Sequence, residues 1–396
     1  MQVIQRNKVI LLVVILASYV AVGFPDGAFT VSWLGMYDEG IIPTIAHNGY
    51  ILVGYSIMYT LAGVMLSWLI RFVKVQTVYF WGLVIMSAGF VGLALSQNFV
   101  IALLFISIYG YGAGAMASSM NSYMAKHFTA RHSNWMHCAW GVGATISPLI
   151  MGPMMTHFGW RTGYYAIVGI VGLVAVMLLI SMYKKMWIDG ETSEAVQEKI
   201  EDTIVKKRYL TKKWHQVVEI LTFFFLGGTD YTLVFFTGVV LTSEQRGVSS
   251  EYVAIFSAVY YVSMTIGRMF FGWSAKWLKE VPIIRIGCFI ALAGIGILYF
   301  TSNVIGMAMT GFGLAPLLPT LVSDTSNRFA PHTISKLVGY ELAAFGAGIA
   351  VLFFMTSRIL ESITLEALFP IGMAFIILVF ICNEILVRAV KHSSFS

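Results

Sequence analysis

Charge is what this chain has least of. Asp, Glu, Lys and Arg make up only 11% of its 396 residues, where a soluble domain carries roughly 25%. So little polar surface excludes a water-soluble globule of this length. Cysteine is scarce too. Cys138, Cys288 and Cys382 all lie in apolar stretches with no metal-site spacing, so they read as small core residues. Zinc-site, nucleophile-elbow and phosphate-loop signatures are missing, which argues against hydrolysis and ATP-driven transport. The apolar runs do not alternate as the strands of a membrane barrel would.

Hydrophobic residues supply 58% of the chain, and residues 75–98, 162–183 and 289–323 carry no charge at all. Runs of about 20 apolar residues match the thickness of a bilayer. Only helices and closed barrels satisfy their backbones in lipid, so the chain reads as an all-α membrane protein. Twelve helices are expected, at 9–36, 47–70, 75–97, 99–125, 134–157, 162–186, 214–242, 251–273, 282–301, 303–327, 335–359 and 366–388. Arg6 and Lys8 precede the first, but no small-residue cleavage site follows, so it is read as a retained membrane helix and not a signal peptide. With the N-terminus inside, Arg161, Arg246 and Arg358 fall outside and Arg268 within a helix. All the other Lys and Arg, of 25, fall on the cytoplasmic side. Both termini are therefore expected in the cytoplasm, in a cell membrane such as a bacterial inner membrane. The net charge of +6 is topological and gives no support to nucleic-acid binding.

The chain also repeats. Asp26 and Asp230 lie 204 residues apart, Gly63 and Gly267 share that offset, and Gly143-Ala144 matches Gly346-Ala347 at 203. Residues 1–187 and 214–396 thus read as two six-helix bundles, joined by a hydrophilic cytoplasmic linker over 188–213 that starts acidic and ends basic. Such equal halves are a transporter architecture, with the site between them at mid-membrane.

Few polar residues sit deep in these runs. Asp26 is 18 residues past Lys8, about 27 Å along a helix at 1.5 Å per residue. Asp230 is 17 past Lys213. A carboxylate at that depth costs at least ~3 kcal/mol unless a cation, a water-filled cavity or a proton relieves it. No Lys or Arg falls at comparable depth on another helix, so cavity and proton are favoured and both aspartates are candidate proton-coupling groups. Glu341, five residues past Lys336, is a third. Glu219 and Glu384 lie near helix ends and read as interfacial, and Asp324 as a gate or surface contact with Arg328. His137 and its repeat partner Tyr340, with Asn121, Trp140, Trp33, Tyr55 and Tyr260, are candidate substrate contacts. Imidazole and amide edges bind polar groups and aromatic rings stack on organic ones. Tyr59 and Tyr261 could stack likewise.

These features resemble the major facilitator superfamily over essentially the whole chain. Gly267-Arg268-x-x-x-Gly272, with Lys276 and Lys279, resembles that family's loop motif, in which glycine allows close helix contact and basic residues clamp the cytoplasmic end. Its first-half counterpart, Gly63-x7-Arg71-Phe72-Val73-Lys74, is degenerate, with Ile70 and Val73 where the family has Asp and Gly. Two stretches, Asn134-Trp-Met-His137-x-x-Trp140-Gly141-x-Gly143-Ala144-x3-Pro148 and Gly311-Phe-Gly313-Leu-Ala-Pro316-Leu-Leu-Pro319-Thr320, look most like the fucose-permease-like branch. The resemblance implies alternating access and proton symport of a small polar solute, such as a sugar or sugar derivative. It implies a protonated first-helix carboxylate, which Asp26 matches, and no cofactor beyond an ion gradient, proton or sodium. A monomer is expected. The branch's fourth-helix Glu has no counterpart, because no acid occurs between Asn98 and Lys126. A drug/proton antiporter is the rival reading, since Gly143, Pro148, Gly152 and Pro153 partly match that group's fifth-helix motif. The two aspartates also admit an intramembrane aspartyl protease, but Gly227-Gly228-Thr229 before Asp230 departs from the Gly-x-Gly that those enzymes resemble. A transporter-like receptor that binds solute without moving it is the remaining reading.

Overall fold

A computed structural model describes residues 2–128, 130–187 and 210–393. Its helices are α1 (Gln2–Asp38), α2 (Ile45–Leu69), α3 (Val75–Ala94), α4 (Phe99–His127), α5 (Ala130–Phe158), α6 (Trp160–Tyr183), α7 (Lys213–Thr242), α8 (Ser250–Ser274), α9 (Glu280–Thr301), α10 (Val304–Leu314), α11 (Leu317–Arg328), α12 (Pro331–Ser362) and α13 (Leu368–Ser393). Among the described residues, twelve stretches are long and apolar enough to cross a membrane, with α10 and α11 together making the tenth. Most of the expected linker, 188–209, lies outside the described residues.

The one crossing that departs from expectation is the tenth, which is broken at Ala315-Pro316. Pro316 has no N–H to donate, and its ring crowds the carbonyl four residues back. Pro319 then falls in the first turn of α11, where no intrahelical donor is needed. Pro25, Pro148 and Pro153 stay inside unbroken helices.

The chain divides into two compact units, Met1–Pro43 with Val53–Ile204, and Thr44–Leu52 with Val205–Ser396. Within each, glycine brings helix backbones into contact. In the first, α1 lies on α5: a Cβ added at Gly143 would sit 1.9 Å from the Val20 carbonyl oxygen, and one at Gly27 2.1 Å from that of Ala144. The second unit repeats the device between α7 and α12, where a Cβ at Gly348 would sit 1.9 Å from the Phe224 oxygen and one at Gly227 2.1 Å from that of Phe345. Lipid offers no hydrophobic drive for helices to associate, so close backbone packing of this kind carries much of the stability.

At the ends away from the linker, arginines close the helix termini. Arg246 donates to the Leu298 and Tyr299 carbonyls at 2.8 Å, to Ser302 Oγ at 2.7 Å and to Glu366. Both carbonyls lie in the last turn of α9, where Leu298 also accepts from the Ser302 N–H at 3.1 Å. Arg161 pairs with Glu39 at 2.5 Å and reaches the Ser96 carbonyl at 3.2 Å.

Candidate functional site

In the first unit the sequence candidates converge on Asp26. Its carboxylate is 7% exposed and accepts from the Trp140 indole Nε1 at 3.0 Å. The bond exists because Gly23 and Gly27, three residues before Asp26 and one after, let α5 lie directly on α1. A Cβ at Gly23 would sit 2.1 Å from the Trp140 carbonyl oxygen. The hydroxyls of Tyr19, Tyr55 and Tyr59 all lie within electrostatic range of the Asp26 carboxylate. Tyr19 is also in hydrogen-bonding reach of the Asn121 amide, and its ring meets His137 edge-on with centroids 5.9 Å apart. Tyr55 packs on Tyr109 at 5.0 Å and on Tyr59 at 5.7 Å. Asn121 and His137 are exposed, whereas Asp26 is buried. The arrangement can bind a polar molecule through amide, imidazole and indole edges, with aromatic rings alongside and one carboxylate beneath. Trp33 belongs elsewhere. It is seven residues beyond Asp26 on α1, fully buried, and packs against Tyr37.

The second unit holds a simpler counterpart. The Tyr260 hydroxyl donates to Asp230. Gly311 admits the Tyr260 backbone, since a Cβ there would sit 2.4 Å from the Tyr260 carbonyl oxygen. Gly110 does the same for Tyr55, at 2.7 Å. Tyr55 and Tyr260 are 205 residues apart, so the repeat places a tyrosine near the aspartate in both halves. The sequence puts no Lys or Arg at the depth of Asp230 on another helix, yet Arg268 is within electrostatic range of that carboxylate. A long arginine stem carries its charge well away from its backbone, and position along the chain does not show that.

Glu341 joins a different group. It is fully buried on α12 and accepts from the Thr325 hydroxyl at 2.9 Å. Beside it, Arg328 donates to Glu219 at 2.9 Å, pairs with Asp324 at 2.6 Å and reaches the Asn383 amide oxygen. Glu219 and Asn383 are 0% exposed and Arg328 2%. Glu219 is thus a core residue and not interfacial, and Asp324 is buried with it. Eleven residues of α7, about 16 Å, separate Glu219 from Asp230. Glu384 pairs with Arg285 at 2.7 Å.

The remaining candidates fall apart from these groups. Tyr340 is 49% exposed on α12. Arg71 and Lys74 are exposed at the end of α2 and before α3. Gly267 packs tightly, since a Cβ there would sit 2.7 Å from Ala315 Cβ, whereas one at Gly272 would meet open space. Sequence reasoning missed Tyr19, although a residue seven before Asp26 returns to the same helix face. It also missed that Glu219, Asp324 and Arg328 form one buried group.

The family model described as Major Facilitator Superfamily matches residues 11–352. The chain belongs to that superfamily: it is a multi-pass membrane transporter and not an enzyme. No curated protein matches it. Among solved structures it is similar to a D-xylose–proton symporter, at 13% identity and TM-score 0.73 over 98% of this chain and 97% of that one. A mutant of the peptide transporter POT bound to alafosfalin matches at 13% and 0.74, over 97% and 95%. A mutant of the nucleoside transporter NupG matches at 12% and 0.70, over 93% and 99%. At these identities the likeness is one of fold.

Proposed function

We propose that the protein is a proton-coupled symporter that moves a small polar organic solute, such as a sugar or sugar derivative, by alternating access. The observation that carries the reading is Asp26, a carboxylate in the middle of a membrane-crossing helix, 7% exposed and hydrogen-bonded to the Trp140 indole among tyrosine hydroxyls. A carboxylate there is costly when ionised and cheap when protonated. Solute bound against His137, Asn121 and the tyrosines would feel that difference. Solute and proton then favour the same occluded state, and that shared preference is what coupling requires. The two units would exchange which side of the membrane reaches the site. Asp230, bonded to Tyr260 and near Arg268, would orient solute or carry a second charge. The membrane would be the cell membrane, with both termini cytoplasmic.

The test is proton flux into liposomes holding purified protein and an internal pH dye. Sugars, sugar acids, polyols and amphipathic cations are added outside one at a time. Internal acidification with one polar class supports symport and names that class. Acidification by none, with alkalinisation of preloaded acidic vesicles by amphipathic cations, replaces symport with antiport export. Solute uptake that follows a sodium gradient and not a pH gradient replaces the proton as driving ion.

A further inference from the structure

Glu219, Asp324 and Glu341 share one buried region at the linker end of the second unit with a single guanidinium, that of Arg328. If all ionise, the group carries two uncompensated negative charges among buried side chains. Arg328 faces Glu219 and Asp324 and also binds Asn383. The Thr325 hydroxyl donates to Glu341 Oε1 and lies within hydrogen-bonding reach of Glu219. Two buried carboxylate oxygens, Glu219 Oε1 and Glu341 Oε2, make no hydrogen bond among the described residues. Buried carboxylate oxygens are rarely left so, and each needs a donor. Beyond these, the titratable groups nearby among the described residues are His215 on α7, one turn before Glu219, Cys382 on α13, in electrostatic range of Glu219, and Glu384 on α13, which Arg285 neutralises.

Packing does not explain these charges. At the offsets that the packed glycines define, Glu219 corresponds to Ile15 (204, from Gly23 and Gly227), Glu341 to Met136 (205, from Gly143 and Gly348), and Asp324 and Arg328 to Tyr123 and His127 (201, from Gly110 and Gly311). Ile15 and Met136 are fully buried. The first half thus has apolar side chains where the two glutamates stand. Apolar replacement of a buried ion group is commonly neutral or stabilising, so the polar version is retained at a cost.

We infer that Glu341 binds a proton, making a second protonation site in the unit that does not hold Asp26. The proton comes from water at the linker side and forms the O–H bond on Glu341 Oε2, which removes one of the two uncompensated charges while Thr325 still donates to Oε1. A metal cation suits the group less well, because Arg328 already supplies the positive charge facing two of the three carboxylates. The inference rests on and deepens the proton-coupled reading, because it adds a second group that takes up a proton.

Infrared difference spectroscopy on the full-length protein in liposomes tests it, by stepping the pH and following the C=O stretch of protonated carboxyl groups. A protonated-carboxyl band at neutral pH, lost in Glu341→Gln and kept in Asp26→Asn, is the expected result. In Thr325→Val the band moves to higher wavenumber, because the carboxyl loses a donor. A neutral-pH spectrum unchanged by both Glu341→Gln and Thr325→Val overturns the inference. Should Glu341→Gln fail to fold, the Thr325→Val shift alone decides. The outcome is separate from that of the coupling reading. A Glu341 band without solute-driven proton flux leaves this site standing and removes coupling. Proton-coupled uptake with no such band does the reverse.

Discussion

Gly143→Ala isolates the contact that positions Asp26. The new methyl would sit 1.9 Å from the Val20 carbonyl oxygen and 2.8 Å from its carbon. Neither atom can turn aside as a side chain would, so α1 and α5 must separate by an ångström or more. Overpacking typically costs about 1–3 kcal/mol, and backbone neighbours put this site at the upper end. For a unit of this size each kcal/mol lowers the melting temperature by about 2–4 °C. The expected fall is about 5–10 °C in a thermal melt of the detergent-purified protein. Gly169→Ala and Gly172→Ala are the controls, because a Cβ at either meets nothing within 4 Å. They should match the parent or exceed it slightly, since alanine is the better helix former by about 1 kcal/mol. If Gly143→Ala melts with the controls, backbone contact between α1 and α5 is not what holds the first unit together.

Other variants probe single interactions. Trp140→Phe keeps the ring and removes the Nε1–H donor to Asp26. A hydrogen bond to a charged group contributes about 1.5–3 kcal/mol, so kcat/KM for uptake should fall about tenfold to a hundredfold with little change in melting temperature. Arg328→Met leaves Glu219 and Asp324 buried without their counter-ion, and should destabilise by about 3–5 kcal/mol in the same melt. Arg246→Ala strips the α9 terminus of a partner that holds two carbonyls, Ser302 and Glu366. It should cost about 2–4 kcal/mol, with early loss of amide protection at the end of α9 in hydrogen exchange.

Much of the architecture is legible in the chain because membrane crossings are written locally, as runs of about 20 apolar residues. The glycines that bring α5 onto α1 and α12 onto α7 could be read for the same reason, since small residues mark close contacts. The break at Pro316 was not foreseen, because Pro25, Pro148 and Pro153 show that proline alone does not decide where a membrane helix stops. Side-chain partnerships are harder still. Glu219 lies six residues past Lys213, which suggests water within reach, yet its partner Arg328 is 109 residues away and both are buried. Arg268 reads as part of a loop motif, but its charge is within electrostatic range of Asp230. Depth along one helix can be counted from sequence, whereas contact between helices needs the packed structure.

The most direct test of the account is transport by Asp26→Asn in liposomes, measured in two modes with the solute that the panel identifies. Accumulation is driven by a pH gradient, and counterflow exchange runs with no gradient at all. If the Asp26 carboxyl carries the coupled proton, the neutral amide abolishes gradient-driven accumulation while counterflow continues. Accumulation that persists at the parent rate contradicts the claim, and coupling would then have to reside elsewhere in the chain.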